Sequence, residues 1–260
     1  MALIIGGHPR SGTTLLQQLC SGHPEMAMTY EHGSFLALGM PFPVYRRQML
    51  QRLWRTKHTS VLVADESSLP ARLDSLRFGW RFIRMISVCR GRRVELSDVE
   101  AVLRQLYPRA RIVGDKNPRY VFILDRLARV EGLSRAIIYR DCRDVVISTL
   151  QRVRGDWRQR PWTRRFNTVE KVALLWVEAI ASMERNRDRV HLIRYEDLVA
   201  RPEEELGRLA AWLGVDPAGF SARAIRRDRV GRHRAALSSE DLAVITRIAG
   251  PAMARLGYLD

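Results

Sequence analysis

A chain of 260 residues, 46% of them apolar and 28% charged, with 11 prolines and 17 glycines, has the proportions of a folded globular protein and excludes a disordered, collagenous or coiled-coil one. Its 44 Lys and Arg against 28 Asp and Glu leave a net charge of +16, which suits an anionic partner. No run approaches the roughly 18 apolar residues of a membrane span, and Cys20, Cys89 and Cys142 are too few and too scattered for a disulfide framework or a metal knuckle, so a soluble cytoplasmic protein is expected.

Ala2 to Gly7 reads as a short buried strand. The loop Gly7-His8-Pro9-Arg10-Ser11-Gly12-Thr13-Thr14 leads from it into a helix with Leu15, Leu16 and Leu19 on one face. Ser21-Gly22-His23-Pro24 ends that helix, because Gly terminates readily and Pro cannot continue. Residues 35 to 107 read as mainly helical, with Ser97-Asp98-Val99-Glu100 as the capping box of one helix. A second strand, Arg111 to Gly114, runs into Asp115-Lys116-Asn117-Pro118. A third, Ala136 to Tyr139, feeds Arg140-Asp141-Cys142-Arg143-Asp144 and a helix that Asp141 can cap while Asp144 opposes its dipole. Val169 to Arg187 reads as a long helix, Val190 to Arg194 as a fourth strand, and Pro202 to Leu213 as a helix with Pro in its first turn. Short apolar strands alternating with amphipathic helices predict an α/β fold, a P-loop-like parallel sheet flanked by helices on both faces. Ligands of such sheets bind beyond the carboxyl ends of the strands, where the polar clusters fall. No repeat, low-complexity tract or Gly/Ser linker interrupts the chain, so 1–260 reads as a single domain.

Gly7-x4-Gly12-Thr13-Thr14 has the spacing of a phosphate-binding loop between a strand and a helix. Backbone N–H groups of such a loop converge on an anion, and the helix start adds its positive dipole end. Thr13 stands where the nucleotide-triphosphatase lysine belongs, while Arg10 supplies positive charge from elsewhere in the loop. In the third-strand cluster, Arg140 can offer a guanidinium fork. Ser148 and Arg152, four apart on the following helix, can add a hydroxyl and a second cation to one dianionic group.

Pro9-Arg10-Ser11-Gly12-Thr13-Thr14-Leu15-Leu16 resembles the 5′-phosphosulfate loop of sulfotransferases that use 3′-phosphoadenosine-5′-phosphosulfate (PAPS). Tyr139 to Ser148 resembles the same family's 3′-phosphate signature. Pro9 to Glu31 and the tail Leu256-Gly257-Tyr258 carry a likeness to the tyrosylprotein sulfotransferases and their bacterial relatives. The resemblance implies sulfuryl transfer from PAPS to an acceptor hydroxyl by in-line displacement, without a metal. It implies Arg10, Ser11, Gly12, Thr13, Thr14, Arg140, Ser148, Arg152, Tyr195 and Arg232 as donor-binding residues, with Tyr195 against the adenine and Arg10 also stabilising charge in catalysis. Lys116, one of only three lysines in the chain, matches the lysine that contacts the bridging oxygen. Glu31 matches the carboxylate base, and His32 beside it is the rival, since its ordinary pKa suits the work near neutrality. Residues 35–107 would form an acceptor-side helical insertion, and 220–240 a basic loop closing over the cofactor. That loop departs from the family's common form at Asp228 and His233.

Two other classes compete. A P-loop kinase or nucleotide triphosphatase would use Val61-Leu62-Val63-Ala64-Asp65 as its metal-binding strand, and the missing loop lysine counts against it. A basic nucleic-acid-binding protein would explain the charge, yet the arginines are scattered and no recognised nucleic-acid motif is present, so nucleic acid is not the expected partner. The acceptor stays open between an acidic peptide bearing a tyrosine and a small phenol or alcohol such as a sugar, lipid or natural product. Phe35, Phe42, Tyr45, Trp54, Phe78, Trp80 and Phe82 are candidates for its pocket or for core. A homodimer also stays open.

Overall fold

The computed structural model describes residues 1–53, 69–158 and 160–259. Val61 to Asp65 and Trp54 lie outside the described residues. A five-stranded sheet in the order β2-β3-β1-β4-β5 forms the centre, from β1 (Ala2–Gly6), β2 (Met26–Tyr30), β3 (Ile112–Lys116), β4 (Leu133–Tyr139) and β5 (His191–Arg194). Every pairing is parallel. β1 shows why the run Ala2-Leu3-Ile4-Ile5 is wholly apolar. Ala2 and Ile4 face one core with Phe35, Phe82 and Val113, while Leu3 and Ile5 face another with Leu16, Leu19 and Leu209. Side chains alternate across a strand, so a strand covered on both faces needs apolar residues at every position.

Helices α1 (Thr13–Gly22) and α9 (Pro202–Leu213) belong to the second of these layers. Those of the 35–107 region, α2 (Phe42–Leu50), α3 (Leu69–Ile86) and α4 (Leu96–Leu106), build the first. The short α5 (Leu124–Leu127) precedes β4. A third core joins β4 to α6 (Cys142–Arg154), α7 (Val169–Arg185) and α10 (Ser239–Arg255) around Trp176, and the short α8 (Tyr195–Ala200) follows β5 directly. β1 is the switch point of the sheet, because its neighbours β3 and β4 belong to opposite halves of the topology. The loop leaving β1 therefore opens into the crevice where such sheets bind ligands.

Three expectations need correction. Met26–Tyr30 is a strand that the sequence reading passed over, so Val190–Arg194 contributes the fifth strand and not the fourth. It contains a single β-branched residue, Thr29, and its register against β3, from Met26 opposite Ile112 to Tyr30 opposite Lys116, defines it. The capping box sits two residues earlier than predicted, between Glu95 and Asp98. Arg92 grips Asp98 through both terminal nitrogens at 2.7 and 2.5 Å, and this holds Asp98 at the third helical position. The long helix stops at Arg185, and 187–189 is a separate 3-10 turn.

Candidate active site

The loop after β1 is built on three residues with positive φ, Gly7 (150°), Arg10 (74°) and Gly12 (99°). A Cβ at Gly7 would lie 2.2 Å from the Ile138 carbonyl, and one at Gly12 would lie 2.5 Å from the Tyr195 ring. Both positions therefore require glycine. Arg10 has no such exemption, and its left-handed backbone is the kind of local strain that binding sites retain. α1 begins without a side-chain cap and without an acidic residue in its first turn, so its leading N–H groups are available to an anion. The Ser11 hydroxyl is buried with no hydrogen-bond partner among the described residues.

The loop and the 3′-phosphate-type signature meet directly: Arg10 Nε donates to Ser148 Oγ at 3.0 Å. Around that contact lies a pocket of about 240 Å³, lined by Arg10, Gly12, Thr13, Thr14, Arg140, Ser148, Arg152, Tyr195, Arg229 and Arg232 together with Leu15, Asp144 and Ile147. All predicted donor-binding residues except Ser11 are among them. Burial, and then the neighbouring guanidiniums of Arg152, Arg140 and Arg229, draw Arg10 below the ordinary arginine range. Arg140 leaves the end of β4 nearly buried, with its guanidinium 4.4 Å over the Tyr195 ring and its Nε unpartnered among the described residues. Arg152 lines the pocket while its guanidinium also reaches Asp156.

Two members of this group were missed by the sequence reading, Arg229 and the receiving role of Asp144. Asp144 does more than oppose a helix dipole. It accepts from Arg140 Nη2 at 3.0 Å, from the Gly231 N–H at 2.8 Å and from the His233 N–H at 3.0 Å, while His233 Nδ1 stands 2.9 Å away. Burial alone would raise its pKa, but His233 and Arg140 outweigh burial and hold it below the usual carboxylate range. The stretch that carries Arg229 and Arg232 is thereby pinned to α6, and the Arg229 carbonyl accepts a further hydrogen bond from Arg140. The i,i+4 spacing of Arg140 and Asp144 was the signal available in the sequence.

Across the crevice, Glu31 and Lys116 form an ion pair at 2.9 Å. Lys116 is the last residue of β3 and not a loop residue, and its side chain is fully buried. Its Nζ lies 3.3 Å from Thr14 Oγ1 and 3.4 Å from the Tyr30 ring centroid. An ammonium thus reaches the phosphate loop from a neighbouring strand, where nucleotide triphosphatases supply it from within the loop. Glu31 has a positive φ of 55° and a carboxylate 40% exposed. His32 is buried with its ring edge-on to Phe82 at 4.5 Å and Phe78 at 5.4 Å, so it faces the core and Glu31 faces the crevice.

Asp115 fixes this turn, and the sequence reading had given it no role. Wholly buried, it accepts from Thr29 Oγ1 at 2.6 Å, the His32 N–H at 3.0 Å, the Gly33 N–H at 2.9 Å and the Tyr120 hydroxyl. Burial raises its pKa to about 6 even against those donors. A carboxyl raised in the folded state stabilises fully below its unfolded pKa and loses that contribution as pH climbs through the folded value. Wild-type unfolding free energy should therefore fall between about pH 4 and 6 by on the order of 2 kcal/mol relative to Asp115→Asn. Urea titrations across that range check it, and parallel pH profiles of the two proteins would refute the assignment.

Of the candidate acceptor aromatics, Phe35, Phe42, Tyr45, Phe78 and Phe82 are buried in the first core and are not free to line a pocket, whereas Trp80 is 54% exposed. The tail residue Tyr258 bridges α8 and α6. Its hydroxyl donates to Glu196 at 2.9 Å, and its carbonyl accepts from Arg143 at 3.0 Å. Among the described residues no group of His, Cys, Asp and Glu is arranged to hold a metal ion, and no helix is long and apolar enough to cross a membrane.

Residues 2–218 match the sequence profile of the sulfotransferase family. The nodulation protein NoeE of Sinorhizobium fredii is 28% identical over 234 residues, which cover 82% of this chain and 50% of NoeE. The chain thus spans half the length of that relative. Its fold is similar to the sulfotransferase domain of the Synechococcus PCC 7002 olefin synthase, with 20% identity, a TM-score of 0.58 and 96% and 94% of the two chains covered. It is similar also to the sulfotransferase domain from the curacin biosynthetic pathway, with 19% identity, a TM-score of 0.56 and 100% and 98% covered.

Proposed function

From the premise that the chain belongs to the sulfotransferase family, we propose that it moves a sulfuryl group from PAPS to an acceptor hydroxyl on a peptide tyrosine or on a small phenol or alcohol. The observation that carries this reading is the Arg10–Ser148 hydrogen bond, which merges the two anion-binding motifs into one pocket. A nucleotide with phosphate groups at both its 5′ and 3′ positions matches a pocket with arginines at both ends and the uncapped N–H groups of α1 at one of them. The partnerless Ser11 hydroxyl and Arg140 Nε supply further donors that such a molecule would satisfy.

Bound there, PAPS would supply the activated sulfuryl group and a 5′-phosphate leaving oxygen. Arg10, the loop and the start of α1 hold the 5′ end, while Arg140, Ser148 and Arg152 hold the 3′-phosphate. Tyr195 offers a ring face beside them, and Arg229 and Arg232 close the pocket from 220–240. Glu31 accepts the acceptor's proton from the open side of the crevice. Lys116, fixed by burial, places positive charge beside the phosphate loop, where leaving-group charge develops.

Purified protein should transfer 35S from labelled PAPS into a hydroxyl-bearing acceptor extract without added metal. A label that stays in nucleotide with every extract, or incorporation that needs Mg2+ and ATP, would overturn the reading. Within it, Lys116→Met keeps the buried volume and removes the charge. Turnover should fall by about 10²–10³ while the affinity for the desulfated product, 3′-phosphoadenosine-5′-phosphate, stays nearly constant by calorimetry. A loss confined to affinity would make Lys116 a binding residue only.

A further inference from the structure

Strands β4 and β5 deliver two lining residues of the donor pocket side by side. Tyr139 and Arg194 are the last register partners of the two strands, and the pocket residues Arg140 and Tyr195 follow them directly. Past that point the ladder ends, because the chain turns at once toward α6 on one side and into α8 on the other. The Arg140 guanidinium still lies 4.4 Å over the Tyr195 ring. Asp144 takes that guanidinium at 3.0 Å and Trp176 Nε1 takes the Arg140 carbonyl at 2.9 Å, and these bonds secure Arg140 itself. A guanidinium fork grips a phosphate in two points only when its plane is fixed relative to the rest of the site.

The tie between the two strand ends is made one residue further along. Glu196 Oε1 accepts from the Asp141 N–H at 3.0 Å, so the residue after Tyr195 holds the residue after Arg140. The other oxygen, Oε2, accepts from the Tyr258 hydroxyl at 2.9 Å, and Arg194 Nε stands 3.6 Å from it. Tyr258 is gripped in turn from both sides. The Arg194 guanidinium covers its ring at 4.3 Å and donates to the Gly257 carbonyl at 3.2 Å. Arg143 Nη2 joins the Tyr258 carbonyl, at 3.0 Å, to the Asp141 carboxylate, at 2.6 Å. Neither Glu196 nor Tyr258 is among the residues lining the pocket. Electrostatics alone gives Glu196 the wrong sign for its place, since a carboxylate beside an anion pocket repels what the pocket binds. Its two oxygens are instead occupied by an N–H and a hydroxyl.

Resting on the donor reading above, we propose that Glu196 and Tyr258 are positioning residues for the 3′-phosphate end of the nucleotide. Glu196 sets the spacing between the ends of β4 and β5, and Tyr258 fixes the Glu196 carboxylate. Arg140 and Tyr195 are thereby held where one molecule meets the fork and the ring together. Neither positioning residue touches the nucleotide. Their effect travels through a backbone hydrogen bond, and it falls on the 3′-phosphate because the 5′ end is held by the separate loop after β1.

The test is calorimetry on the full chain with 3′-phosphoadenosine-5′-phosphate and with adenosine 5′-phosphate, which lacks the 3′ group. Glu196→Ala should weaken the first by about tenfold or more and the second by less than about twofold, so that the preference for a 3′-phosphate collapses. Glu196→Gln keeps an oxygen for the Asp141 N–H and should recover most of the loss. Tyr258→Phe keeps the ring and removes one hydroxyl, and it should lower the same preference by about threefold. This milder variant decides the matter if Glu196→Ala does not fold. Tighter binding by Glu196→Ala would show that charge repulsion is its main effect. Equal weakening of both nucleotides would make Glu196 a general structural residue. Either result overturns the proposal, as does an unaltered preference in Glu196→Ala and Tyr258→Phe. Wild-type protein that fails to bind 3′-phosphoadenosine-5′-phosphate sinks the donor reading and the positioning role with it, whereas wild-type binding with an unaltered preference in the variants sinks the positioning role alone.

Discussion

Glu31→Gln should lower turnover by about 10²–10⁴, the range expected when a general base is removed, while nucleotide affinity stays nearly unchanged. The amide keeps an oxygen for the Lys116 ammonium 2.9 Å away, so the buried cation retains a partner and the fold should be preserved. What the amide lacks is a lone pair basic enough to take the acceptor's proton. Glu31→Ala should lose at least as much activity. His32→Ala should act chiefly on stability, because that ring fills a space between Phe78 and Phe82. Single-turnover measurements with saturating PAPS separate these effects from donor binding. If His32→Ala abolishes chemistry in a folded protein while Glu31→Gln retains it, the roles are reversed.

Arg140→Ala should reduce the affinity for 3′-phosphoadenosine-5′-phosphate by on the order of 10³-fold, as loss of a buried two-point charge-assisted contact implies. Arg140→Lys should recover little of that loss, since a lysine restores charge without the fork. The change should not unfold the protein. Asp144 keeps the Gly231 and His233 N–H groups when Arg140 is gone, so no carboxylate is left buried without donors. Arg10→Ala should weaken binding similarly from the other end of the pocket. Unchanged affinity in both variants would leave the nucleotide without a site.

The elements that could be read from the sequence were those whose local and tertiary demands agree. Pro202–Leu213 has its proline at the start, its glycine at Gly214 just past the end, and one apolar face. The phosphate loop was legible because conformation itself demands glycine at 7 and 12. Met26–Tyr30 was illegible because an edge strand of Met, Ala and Thr is defined by its neighbour's hydrogen bonds more than by its own propensity. The site divides the same way. Arg10, Arg140, Ser148 and Lys116 stand in recognisable motifs. Asp115 and Asp144 work through backbone N–H groups from segments far along the chain, at His32 and Gly33 for one and Gly231 and His233 for the other. No spacing rule encodes such contacts. The candidate acceptor aromatics stayed open between pocket and core because a phenyl ring in a sequence looks the same whether it lines a cavity or fills a core.

Asp144 and Arg140 share one further property. The guanidinium that faces the pocket is also bonded to the Arg229 carbonyl, and the carboxylate that steadies it anchors Gly231 and His233 as well. An anion drawing Arg140 toward itself therefore competes with the tether of the very segment that covers it. By linkage, whatever shifts that segment alters the hold on an anion bound at Arg140, and an equal energy acts in return. On the proposed donor assignment, substitutions at Gly231, well away from any bond being made or broken, should change the rate at which spent nucleotide departs.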